Sequence, residues 1–124
     1  MLTEDFCSFE VAKLLKEKGF VEPCLYYYFS NGKIEKAIGL KDKNTACVST
    51  FSAPTHQMAM KWLREVYGLH IWVEYSRFDF NKELPYLWNI AETKINGDYW
   101  GGTYHKSSKE AVESALKYVL ENLI

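Results

Sequence analysis

The chain lacks most of what marks a membrane protein, a secreted protein or a familiar enzyme. None of its 124 residues fall in an apolar run approaching the roughly 20 needed to cross a bilayer, so no membrane partner is expected. Met1 is followed by Thr3, Glu4 and Asp5 rather than by a basic segment and an apolar stretch, so no signal peptide is expected either. Cysteine is sparse. Cys7, Cys24 and Cys47 are odd in number, far apart, and form neither a CxxC nor a zinc spacing. They read as reduced thiols of a cytoplasmic protein, mostly packed as small apolar groups. An excess of positive charge is missing too: 15 Lys and Arg face 16 Asp and Glu, for a formal net charge of -1. A protein that grips a duplex by its phosphates normally shows a basic face. The densest basic cluster, Lys33, Lys36, Lys41 and Lys43, is diluted by Glu35 and Asp42 and reads as a solvated loop or hairpin edge.

Signatures of catalysis and metal binding are likewise absent. His56, His70 and His105 form no HExxH, and no two of them share a helix face, so no metal is expected. There is no GxSxG. The segment "GDYWGGTYHKSSKE" has glycines ahead of a helix but not the GK[ST] ending of a phosphate loop. Cys7 precedes a helix, where a thiol can be activated, yet no base supports it. Asp79 and Glu83 fall in one loop, and Glu74 and Glu92 fall on strands where they could face each other. Pairing of such glutamates with lysines, Lys94 among them, is favoured over acid/base work. The expectation is a protein that is not an enzyme and holds no cofactor.

What is present is a regular alternation of helix and strand signals. Ser8 can cap a helix whose apolar positions are Val11, Leu14 and Leu15, with Gly19 as its C-terminal stop and Phe20 folding back. Strands are predicted near 24–30 and 33–38, joined at Asn31-Gly32 by a two-residue turn in which both central residues need positive φ. "ACVSTFS" is a candidate third short strand. A second helix opens at Ser52 or Thr55 with Pro54 in its first turn, and its apolar face is Ala59, Trp62, Leu63 and Val66. Gly68 ends it. Leu69, Ile71, Val73 and Tyr75 then alternate with His70, Trp72, Glu74 and Ser76, the period of a strand with one buried face. "RFDFNKELP" reads as a loop. A second hairpin follows, near 86–95 and 98–104, turning at Asn96-Gly97. The last helix starts with a capping box, Ser107-x-x-Glu110, and carries Val112, Ala115, Leu116, Val119 and Leu123 on one face.

The order α-β-β-(β)-α-β-β-β-α implies an α+β fold: a mainly antiparallel sheet built from two hairpins, with three helices packed on it. With no repeat, low-complexity stretch or Pro/Gly/Ser linker, one domain is assigned to 1–124. Composition agrees, at 48% hydrophobic and 25% charged.

Aromatic residues are the surplus: 9 Tyr, 7 Phe and 4 Trp, 16% of the chain. Several fall on predicted strands, where they either fill the core or form a binding surface. Trp72 is opposite in phase to Leu69, Ile71 and Val73. Thr55 and His56, at the start of the second helix, are candidates for an anion site, since free backbone N–H groups and the helix dipole favour negative charge there. The candidate binding surface is therefore Thr55, His56, Trp72, Trp88 and Trp100.

"SFEVAKLLKEKGF", "SAPTHQMAMKWLREVYGLHIWVEY" and "KEAVESALKYVLENLI" together resemble a group of small uncharacterised proteins from bacteriophages and mobile elements of gut bacteria. The resemblance covers essentially the whole chain and is sharpest at Ala53-Pro54-Thr55 and Lys61-Trp62-Leu63-Arg64-Glu65. It implies origin and single-domain character, and it brings no activity, cofactor or site residue. The expected function is protein–protein interaction or self-association as a homodimer. The alternative is single-stranded nucleic-acid binding, which needs at least two of Trp72, Trp88 and Trp100 exposed on one face beside lysines.

Overall fold

A computed structural model describes residues 4–76 and 83–124. The fold is α+β: four helices with two three-stranded antiparallel sheets. The described residues form two compact units, one within Met1–Ala59 with Ile124, the other within Met60–Leu123. The two predicted hairpins belong to different sheets, one in each unit.

In the first unit, helix α1 (Phe9–Glu17) starts where Ser8 Oγ accepts the Val11 N–H at 3.2 Å. It stops at Gly19, whose φ of 88° an L-residue rarely adopts. The Phe20 N–H then reaches back to the Leu15 carbonyl at 3.0 Å, and the Phe20 ring is buried with Val11, Ala12 and Leu15. Strands β1 (Cys24–Phe29) and β2 (Ile34–Lys41) form the first hairpin. A short helix α2 (Lys43–Ala46), absent from the expected order, is capped by Asp42, whose side chain accepts the N–H groups of Asn44 and Thr45. The "ACVSTFS" segment does supply a strand, β3 (Thr50–Ser52), and the sheet order is β2-β1-β3.

Helix α3 (His56–Tyr67) begins in the first unit and ends in the second. Its cap is Thr55, whose Oγ1 accepts the Met58 N–H at 3.2 Å. Ser52 is instead the end of β3, and Pro54 lies ahead of the cap rather than in the first turn, with its carbonyl accepting the Cys7 N–H at 2.9 Å. Ala59, Trp62 and Leu63 are buried as the spacing predicts, but Val66 is 58% exposed. Gly68, at φ 68°, ends the helix.

The second unit holds β4 (Leu69–Tyr75), β5 (Tyr86–Glu92) and β6 (Tyr99–His105) in that order, followed by α4 (Ser108–Asn122). Ser107 Oγ accepts the Glu110 N–H at 3.1 Å, the first half of the predicted capping box. Helix α4 packs on the sheet with Ala111, Val112, Ala115, Leu116, Val119 and Leu120 buried, while Leu123 is only half-buried. Residues 77–82 of the expected loop, Asp79 among them, lie outside the described residues.

Candidate functional site

Two surfaces carry features that packing alone does not explain. The first is the face of the β4-β5-β6 sheet opposite α4. Antiparallel register pairs Ile71 with Ile90, Trp72 with Asn89 and Val73 with Trp88, and paired residues point to one side. Trp88 is on the α4 side. Its Nε1 donates to Ser114 Oγ at 3.2 Å, and its ring lies 5.2 Å from that of Tyr118. Trp100 pairs with Ile90 and so shares the α4 side, half-buried.

Trp72 faces the other way, as its phase in the strand predicts. His70 stacks on it at 5.5 Å, and Tyr99 approaches from β6 at 6.0 Å. Since β4 and β6 flank β5, these two rings meet above Asn89, the β5 residue paired with Trp72. Asn89 is 1% exposed. The Tyr99 hydroxyl donates to its Oδ1, while its Nδ2 has no hydrogen-bond partner among the described residues. Trp72 Nε1 donates to Glu74 Oε1 at 3.1 Å.

The second surface is in the first unit. Between β1 and β2 the register runs from Cys24↔Lys41 to Tyr26↔Lys36, so five steps along β2 oppose two along β1. The surplus forms a bulge turned by Gly39 at φ 77°. Ala37 is buried, but Ile38 is 96% and Leu40 64% exposed. Leu40 also lines a recess of about 90 Å³ with Phe6, Pro23, Leu25, Met58 and Cys24. Burial, reinforced by the charges of Asp42 and Glu22, pushes the Cys24 thiol up to about 12, so it is a neutral part of this lining. Drug-sized ligands need sites of roughly 300 Å³ or more. This recess suits a single aliphatic side chain.

The predicted candidate residues are divided between the two units. Thr55 and His56 lie in the first unit and Trp72, Trp88 and Trp100 in the second. His56 is buried, its N–H donates to the Asp5 carbonyl at 2.9 Å, and Thr55 consumes the Met58 N–H. Two of the N–H groups that an anion would use at this helix start are thus already engaged. Trp88 is buried, and Trp72 and Trp100 take opposite faces. Glu74 pairs with Leu87 and Glu92 with Leu69, so the two acids are not neighbours, and Glu92 meets Lys94 at 3.1 Å. Asn89 and Lys16 escaped the sequence reading. Lys16 Nζ donates to the carbonyls of Cys47, Val48 and Thr50 at 2.8, 3.0 and 2.8 Å. Nothing in the periodicity distinguishes it from a solvated helix lysine.

Among the described residues, no group of three or more His, Cys, Asp or Glu could hold a metal ion, and no helix is long and apolar enough to cross a membrane. Comparison with protein-family profiles, curated proteins and solved structures found no match.

Proposed function

We propose that this is a non-enzymatic binding protein that acts through protein–protein contact, and that the bulge and recess of the first unit are the contact surface. The observation that carries this reading is Ile38, an aliphatic side chain held 96% exposed two residues from Leu40, which lines an apolar recess. Exposed apolar groups that gather into a patch, unlike singly scattered ones, mark interaction surfaces, and Ile38 and Leu40 are both exposed on β2. Ile38 and the recess belong to the same unit, and a projecting aliphatic side chain of one copy entering the recess of another is the reciprocal contact that two-fold symmetry requires. The partner we infer is therefore a second copy of the chain. A cytoplasmic setting and a phage or mobile-element origin belong to the same proposal. They rest on the resemblance of the α1, α3 and α4 segments and on cysteines that are odd in number and far apart in the sequence.

Light scattering on the eluting protein tests this. The expected mass is 29 kDa at high concentration, twice the 14.5 kDa of the chain, and it falls to the monomer value in Ile38→Asp. A monomer mass for the wild type throughout the concentration range rules out self-association. Nucleic-acid binding through the tryptophans is less well supported, because no two of Trp72, Trp88 and Trp100 are exposed on a common face.

A further inference from the structure

We propose that the face of the β4-β5-β6 sheet opposite α4 binds a neutral saccharide, with Trp72 as its stacking platform, Asn89 as its buried hydrogen-bonding group and Tyr99 as a movable cover. Buried side-chain amides in folded proteins are nearly always satisfied, and an exception calls for a water, an ion or a function. Asn89 is such an exception, with one end of its amide held by the Tyr99 hydroxyl and the other unpaired. Rotating the amide by 180° only exchanges which end is left over. A hydroxyl group fits either case, because it both donates and accepts.

Access to Asn89 is controlled by Tyr99. This residue opens the edge strand β6 and is 59% exposed. Its ring lies over Gly101, the β6 partner of Asn89, where an added Cβ would meet Tyr99 Cε1 and the hydroxyl oxygen at 3.7 Å each. Gly101 contributes no side chain, so the ring fills a notch whose floor is the Gly101 backbone and the Asn89 amide. An exposed tyrosine changes rotamer on a timescale of picoseconds to nanoseconds. Once the ring swings out, a ligand hydroxyl can take its place on Asn89.

The chemistry of the surroundings selects the ligand. Strands β4, β5 and β6 contain no lysine or arginine, and the carboxylate on this face is Glu74. Among these strand residues a phosphate-bearing ligand would meet a carboxylate and no lysine or arginine. A neutral sugar meets complementary groups instead. Its polarised C–H face suits the electron-rich face of Trp72. Its hydroxyls can donate to the Glu74 carboxylate and pair with the open end of Asn89. His70, stacked on Trp72, holds that platform in place.

The test uses the full chain on an immobilised panel of neutral oligosaccharides of glucose, galactose, mannose and N-acetylglucosamine, followed by tryptophan-fluorescence titration with any sugar retained. The expected result is binding of at least one sugar in the micromolar to millimolar range. Asn89→Leu and Trp72→Ala should each weaken it by at least roughly three- to tenfold, the worth of one neutral hydrogen bond. Val48→Ser, at a 91% exposed position of the other unit, should leave it unchanged. Circular dichroism checks that both site variants fold, and Trp72→Ala, at a half-exposed position, tests the site even if Asn89→Leu does not fold. The proposal is overturned if no sugar in the panel binds, or if binding is indifferent to both site substitutions. It is also overturned if an oligothymidylate changes the tryptophan signal at low salt while the sugars do not.

Discussion

At the scale of single residues, the tightest constraint is the approach of Gly102 to Trp88. A Cβ on Gly102 would lie 2.0 Å from two atoms of the indole, and the ring cannot retreat because it is buried against α4. Gly102→Ala should therefore cost about 3 kcal/mol of stability, the upper range for overpacking, read as a lower denaturation midpoint. The cysteines make a second residue-scale prediction. Cys47 is exposed, and hydrogen bonding from Ser49, with Lys16 nearby, lowers its thiol pKa below the ordinary value. Burial does the opposite to Cys24, and Cys7 is fully buried. Iodoacetamide should alkylate Cys47 first in the native protein and reach Cys7 and Cys24 only on unfolding, an order that mass spectrometry of the labelled peptides reads directly.

At the scale of elements, the first unit depends on short connections held by side chains. Lys16 reaches from α1 to three carbonyls around β3, and its ammonium also lies 4.7 Å from the Phe51 ring. Lys16→Met keeps the apolar stem but leaves those carbonyls to solvent. It should cost about 1 to 2 kcal/mol in urea unfolding, less than a fully buried charged bond because the site is partly open to water. Asp42 caps α2. Burial works to raise its pKa, but hydrogen bonds from the Thr45 side chain and from the Asn44 and Thr45 N–H groups outweigh that and hold it below its ordinary 3.8. A carboxyl depressed on folding stabilises the protein fully above its unfolded pKa. That contribution is lost as pH falls through the lower folded value. Asp42→Asn should therefore be less stable than wild type at pH 7, and the gap should close below about pH 4.

The elements also show where local sequence is a sufficient guide. Caps and stops at Ser8, Gly19, Gly68 and Ser107 were legible because each is a local backbone requirement. The turn at Asn31-Gly32 was legible as a turn but not in its form. Only Gly32 has positive φ, and the Phe29 N–H bonds the Lys33 carbonyl, a three-residue loop with a glycine bulge. In the second hairpin the roles reverse. Asn96 takes the positive φ of 59°, while a Cβ on Gly97 would come within 2.7 Å of Glu92 Cβ. Asn89 was illegible for a different reason. By alternation it is the polar residue between Trp88 and Ile90, so a solvated position is expected. It is buried by rings arriving from two other strands, and only register reveals that. The bulge that lifts Ile38 likewise depends on pairing with β1, which no local pattern encodes.

For the molecule as a whole, the sequence places separate unfolding probes in the two units. All three cysteines fall in Met1–Ala59, and all four tryptophans in Met60–Leu123. Each unit has about 60 residues, a size at which the buried fraction of surface leaves a domain marginal on its own. The boundary falls inside α3, between Ala59 and Met60. The start of that helix is tied to the first unit by the Asp5 carbonyl and the Phe6↔Thr55 bridge. Its end is tied to the second by Gly68, whose carbonyl accepts the Thr93 N–H at 2.8 Å. A helix of 12 residues is barely stable by itself, so losing either anchor removes support from the other half. Coupled unfolding as one cooperative domain is the expected outcome. Tryptophan emission and the alkylation of Cys7 and Cys24, followed across one urea titration, should then share a midpoint. Separate midpoints would mean two independently folding domains joined by a helix, and would show which of the two proposed binding surfaces survives without the other.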